Sequence, residues 1–143
     1  MEPGPICILL AEDEEAIRRA YARSLAKCGY SVIEAVDGVD ALNKATEYAG
    51  EIHVLITDVN MPKMDGHQLA RHFKMSRPDV PIIIISGLGQ HHFPPDAVHY
   101  SDAALVKPVR TPTLLGKLEE LLRGHAASQP ASARCNGSSM VTC

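Results

Sequence analysis

The feature that most constrains this chain is an alternation of five short apolar runs with amphipathic stretches, from Ile6 to about Leu122. The runs are Ile6–Ala11, Ser31–Ala35, His53–Thr57, Pro81–Ser86 and Ala103–Val106. They are rich in Ile, Val and Leu and do not alternate strictly with polar residues, which is the pattern of strands covered on both faces of a parallel sheet. Between them, Glu14–Lys27 places Ile17, Ala20, Tyr21, Ser24, Leu25 and Cys28 at helical spacing, and Gly29 stops the run. Val39–Ala49 aligns Leu42, Ala45 and Ala49 ahead of Gly50, and His67–Met75 forms a shorter helix that ends before Pro78. In the last helix Thr111 is the expected N-cap and Pro112 sits in the first turn. Leu114, Leu115, Leu118, Leu121 and Leu122 follow as an apolar stripe. Repeated strand–helix alternation specifies an open α/β sheet with helices on both sides and right-handed crossovers. One interval breaks the rhythm. Between Gly87 and Asp102, Gly89, Pro94 and Pro95 leave room for only about one or two turns. The fourth helix is therefore expected to be short, displaced or partly unwound.

Residues 1–123 are read as one domain, because a chain of 143 residues buries one moderate core. From Gly124 the composition turns to Ala, Ser, Gly and small polar residues without apolar period, so 124–143 is expected to be a disordered tail. A net charge of −3 and the absence of Trp give neither a phosphate-binding patch nor a base-stacking platform, so no direct nucleic-acid partner is expected. Membrane insertion is not expected either, since the apolar runs are far too short to span a bilayer. Cys7 and Cys28 fall in apolar periodic stretches, as small core residues do, and Cys135 and Cys143 complete the set without a C-x-x-C spacing. With no secretory signal segment at the N-terminus, the location expected is cytoplasmic.

In open α/β sheets, ligands bind outside the carboxyl ends of the strands. Here the first strand ends in Glu12 and Asp13, the third in Asp58, the fourth in Ser86, and the fifth in Lys107 followed by Pro108. Taken singly, Asp13 is a helix cap, Glu12 and Lys107 are surface charges, and Asp58 and Ser86 are turn residues. Their convergence on one sheet edge is a different matter. Close carboxylates raise one another's pKa unless a cation compensates, and an all-oxygen donor set suits Mg²⁺. Asp58 then becomes a carboxylate nucleophile for a phosphoryl group, with the Ser86 hydroxyl and the Lys107 ammonium on phosphoryl oxygens. The histidines form no metal set: His91 and His92 are adjacent and diverge, and His53, His67 and His72 are expected at a strand end and on helix surfaces.

With these residues the chain resembles the response-regulator receiver domains of two-component signalling. The resemblance covers about Ile6 to Arg123. Ile8 to Glu14 is similar to the family's acidic turn, and Asp58-Val59-Asn60-Met61-Pro62-Lys63-Met64-Asp65-Gly66 to its phosphoacceptor loop. Ser86-Gly87 and Lys107-Pro108 match its remaining signatures, in order. The resemblance implies a flavodoxin-like, doubly wound α/β fold, a five-stranded parallel sheet in the order 2-1-3-4-5. It further implies that Asp13, Asp58 and the backbone carbonyl of Asn60 ligate Mg²⁺, with Glu12 acting through water, and that the Lys107–Pro108 peptide is cis. Gly66 is expected to supply a backbone conformation closed to other residues, and small Gly87 to keep the route to Asp58 open. The implied donor is a histidine kinase or a histidine phosphotransfer domain. Such a domain catalyses its own phosphorylation and dephosphorylation without being a conventional turnover enzyme.

The chain departs from the family at one position. Receiver domains usually carry Tyr or Phe three residues before the signature Lys, where this chain has Ala104. The usual output surface is therefore expected to switch differently or weakly, which favours a phosphorelay or kinase-attached role over direct gene control. The alternative function is a phosphorylation-independent pseudo-receiver that acts as an interaction module. A small flavin- or nucleotide-binding protein is disfavoured, because no Gly-rich loop follows the first strand and Glu12 and Asp13 would repel a phosphate there.

Overall fold

A computed structural model describes residues 5–87 and 101–125. Its elements alternate as the apolar runs require: β1 (Cys7–Ala11), α1 (Glu15–Lys27), β2 (Ser31–Ala35), α2 (Gly38–Glu47), β3 (Val54–Asp58), α3 (Gly66–Ser76), β4 (Ile82–Ser86), β5 (Ala103–Val106) and α4 (Thr111–His125). The strands form one sheet in the order β2-β1-β3-β4-β5, and every pairing is parallel. This is the doubly wound order that the family resemblance implies. The irregular fourth helix expected between Gly87 and Asp102 falls on residues 88–100, outside the described residues, as does all of the expected tail after His125. The last helix runs two residues beyond the boundary expected at Arg123.

The side chains of β1, β3 and β4 divide between two cores, which is why these runs lack a polar face, whereas β5 at the sheet edge turns Ala103 and Leu105 inward and leaves Ala104 and Val106 exposed. Cys7, Leu9 and Ala11 of β1, Leu55 of β3, and Ile82 and Ile84 of β4 pack against Ala41 and Ala45 of α2 and Leu69, Ala70 and Phe73 of α3. Ile8, Leu10, Val54, Ile56, Ile83 and Ile85 face the other way, onto Ala22 and Leu25 of α1 and Leu114 and Leu118 of α4. Cys7 and Cys28 are buried and are not joined in a disulfide, as their apolar setting suggested.

Two helices differ from their expected faces. In α1 the buried positions are Arg18, Ala22 and Leu25, while Ala20 is exposed and Ile17, Tyr21 and Ser24 are half-buried. The buried stripe is rotated because Arg18 finds polar partners beneath the helix. In α2, Gly38, Ala41 and Ala45 are buried and Ala49 lies beyond the helix, exposed. Caps also differ. The N-cap of α1 is Glu14, with no side-chain cap bond, and Thr111 is already helical, its hydroxyl lying 3.5 Å from Ser24 Oγ. A capping box starts α3: Asp65 Oδ1 accepts from Gln68 N at 2.8 Å and Gln68 Oε1 accepts from Asp65 N at 3.1 Å.

Candidate functional site

The ladder register sets the site. Ala11 pairs with Thr57, so Glu12 and Asp58 leave the sheet side by side. Asp58 pairs with Ile85, which puts Ser86 one step further along, and Ser86 pairs with Val106, next to Lys107. Glu12, Asp13 and Asp58 each offer a carboxylate oxygen, and these oxygens lie within 4.8 Å of one another. Lys107 Nζ donates to Glu12 Oε1 at 3.3 Å and stands 3.3 Å from Asp58 Oδ1. The peptide from Lys107 to Pro108 is cis, as the resemblance implied.

Burial separates the roles of the three carboxylates. Glu12 and Asp58 are buried and Asp13 is exposed. Burial, with the neighbouring Asp58 charge, pushes the Glu12 carboxyl up to about 7, although the Glu14 backbone N–H and Lys107 oppose the shift. Asp58 is also raised by burial, and Lys107 works against that rise. Burial lowers Lys107, but Glu12 and Asp58 more than offset it, so its ammonium is held above the ordinary lysine value. The cluster is thus a set of carboxylates short of positive charge.

The donor set fits a hard divalent cation. Three formal negative charges and one ammonium leave a deficit that one such ion cancels, and the available atoms are oxygens. Ser86 adds a second sign of a missing partner. Its residue is buried and its Oγ has no hydrogen-bond partner among the described residues, an arrangement that a folded protein does not normally leave unexplained.

Asn60, the remaining residue expected here, lies exposed in the loop two residues after Asp58. That loop returns tightly to the sheet: Gly66 N donates to Val59 O at 2.8 Å, and Val59 N to Ile85 O at 2.9 Å. The expected reason for Gly66 needs correction. Its backbone is not left-handed. A Cβ there would stand 2.1 Å from the Asp58 carbonyl oxygen, so glycine is required by close approach. The left-handed residue in the loop is Lys63, at φ 70°. Gly38 is confined similarly, because a Cβ on it would meet Met64 at 2.8 Å. Asp37, which caps α2 by accepting from Asp40 N at 2.7 Å, also lies 3.8 Å from Lys63 Nζ. The sequence offered a signal for these supports only in the Asp37-Gly38 pair ahead of an apolar helix.

His53, His67 and His72 stay apart from the carboxylates. His53 Nδ1 accepts from Cys7 N at 2.9 Å at the opposite end of the sheet, His67 lies half-buried in the first turn of α3, and His72 is exposed on that helix. His91 and His92 lie outside the described residues.

Comparison with known proteins agrees with this geometry. Residues 8–119 match the family model described as the response regulator receiver domain. The response regulator receiver protein CpdR of Brucella abortus (strain 2308) is 36% identical over 116 residues, which cover 80% of this chain and 95% of that protein. The sensor kinase CckA of the same organism is 37% identical over 123 residues, 83% of this chain but 13% of the kinase. Among solved structures, the response regulator TrrA of Thermotoga maritima, crystallised in complex with Mg²⁺ and BeF, superposes with a TM-score of 0.73 at 27% identity, covering 81% of this chain and 98% of that one.

Proposed function

From the premise that this chain belongs to the response regulator receiver domain family, we propose that it accepts a phosphoryl group on Asp58 from a phosphohistidine of a histidine kinase or histidine phosphotransfer domain. The observation that carries this reading is the position of Asp58, buried at the end of β3 within 3.3 Å of the Lys107 ammonium and clustered with Glu12 and Asp13.

An ionised Asp58 oxygen attacks phosphorus, the P–N bond to the donor imidazole breaks with its electron pair on nitrogen, and an acyl phosphate remains on Asp58. Lys107 favours the ionised nucleophile and is placed to follow negative charge as it moves onto the phosphoryl oxygens. Ser86 donates its hydroxyl, which has no partner among the described residues, to another of those oxygens. Asp13, Asp58 and the carbonyl of Asn60 would hold Mg²⁺, with Glu12 acting through water, and the ion supplies charge neutralisation and orientation of the phosphoryl group. Hydrolysis of the acyl phosphate later restores Asp58. Beside Lys107 opens a groove lined by Ile17, Ala20 and Tyr21 of α1 and by Pro108 and Val109, an apolar surface on which the donor domain rests.

Ala104 lies exposed on β5, so no ring at that position reports the phosphorylated state. This supports a relay or kinase-attached role. The similarity to both a stand-alone receiver and a segment of a sensor kinase accords with either setting. Among the described residues, no helix is long and apolar enough to cross a membrane. Intact-mass measurement after acetyl phosphate treatment tests the reading. One phosphoryl group is expected with Mg²⁺ and none with chelator or in Asp58→Asn. Labelling that persists in Asp58→Asn overturns it.

A further inference from the structure

We propose that Arg18 is a positioning residue for the metal-binding turn, locking the peptide that joins Glu12 to Asp13; this rests on the phosphoacceptor reading above. Arg18 belongs to α1, comes just after the acidic run Glu12-Asp13-Glu14-Glu15 and directly precedes Arg19, a context in which a charged side chain ordinarily points to solvent. Instead it is 9% exposed. Its Nη1 donates to the backbone carbonyl of Glu12 at 3.0 Å in a buried contact, and its Nε donates to Glu34 Oε1 on β2 at 3.1 Å.

The carbonyl it holds is a pivot. Glu12 is fixed at its nitrogen by Ala35 O at 3.0 Å, and at its side chain by Glu14 N at 3.1 Å and Lys107 at 3.3 Å. Asp13 differs. It is exposed, and among the described residues no hydrogen-bond donor or ion-pair partner holds its carboxylate. Its place in the cluster with Glu12 and Asp58 therefore depends on the backbone that carries it. The plane of the Glu12–Asp13 peptide decides where the next side chain starts, and Arg18 binds that plane through its oxygen. The guanidinium is itself held by Glu34, whose carboxylate is half-exposed at the sheet edge. A planar fork reaching a carbonyl and a carboxylate at once is a task that lysine performs poorly.

A role limited to packing would allow an apolar replacement of similar length. A positioning role makes metal affinity the sensitive quantity, since outer partners of metal ligands typically govern about 10- to 100-fold in affinity. The test is calorimetric titration of Mg²⁺ into the full chain, for wild type, Arg18→Met, Arg18→Lys and Glu34→Ala, with a thermal melt of each. Arg18→Met is expected to melt cooperatively and to bind Mg²⁺ about tenfold more weakly, while phosphorylation by acetyl phosphate recovers at saturating Mg²⁺. Arg18→Lys is expected to fall between. Unchanged Mg²⁺ affinity in folded Arg18→Met overturns the proposal. Should Arg18→Met fail to fold, Glu34→Ala decides. Its freed guanidinium is expected to weaken Mg²⁺ binding by about threefold, and wild-type affinity there overturns the proposal equally. If the wild-type chain takes up no Mg²⁺, the phosphoacceptor reading itself falls.

Discussion

The Ser86 hydroxyl is buried and has no hydrogen-bond partner among the described residues. A buried donor without a partner costs on the order of 1–3 kcal/mol, so Ser86→Ala is expected to leave the thermal midpoint unchanged or raise it while slowing acetyl phosphate labelling about tenfold or more. A lower midpoint with normal labelling would make Ser86 structural. Glu12 gives a pH dependence whose sign follows from its raised carboxyl. In the range from about 4.5 to about 7 the folded chain binds more protons than the unfolded one, so its Mg²⁺-free stability falls as pH rises through that window and then levels. Bound cation must displace the same proton, so Mg²⁺ affinity is expected to climb with pH up to about 7. Melts in chelator at pH 5 and 8 check the first trend, and Glu12→Gln should flatten both. Glu12, Asp13, Asp58, Ser86 and Lys107 were legible in the sequence because each ends a strand, and strand ends share an edge. Arg18 was not, because a helix written as Arg18-Arg19 gives no sign of which arginine turns inward. That depends on a carbonyl and a glutamate contributed by other elements.

At the scale of elements, the loop from β3 to α3 is where sequence and structure differ most instructively. The sequence marks Gly66 as special but not why, since a backbone angle and a close approach both select glycine. The 2.1 Å separation between a virtual Cβ and the Asp58 carbonyl settles the reason. Gly66→Ala is then expected to push the Asp58 backbone aside, costing about 1–3 kcal/mol and weakening Mg²⁺ binding, as a denaturant melt and a titration would show. An unperturbed titration would mean that the loop absorbs the methyl elsewhere. The start of β5 shows another support invisible to periodicity. Asp102 Oδ2 accepts from Ile82 N at 2.8 Å and pairs with Lys74 at 3.0 Å, tying β5, β4 and α3 together. Strand positions were readable to within a residue or two because the central strands β1, β3 and β4 are rich in Ile, Val and Leu and buried throughout. Helix faces were less so, since α1 hides an arginine and an alanine in place of Ile17 and Ala20.

For the whole molecule, the two cores on either side of the sheet hold the carboxyl edges of β1, β3, β4 and β5 in one register, and that register assembles the site. Phe73 on one face and Leu118 on the other are fully buried, so the edge is backed by packing from both sides. The central claim is that this edge receives a phosphoryl group between Asp58, Ser86 and Lys107. A crystal structure of the chain with Mg²⁺ and fluoroberyllate, a stand-in for the phosphoryl group, tests it most directly. Beryllium is expected to be bonded to an Asp58 oxygen, with its fluorines within hydrogen-bonding reach of Ser86 Oγ and Lys107 Nζ and the cation held by Asp13 and Asp58. Fluoroberyllate bound elsewhere, or Asp58 left bare while Mg²⁺ is present, would contradict it.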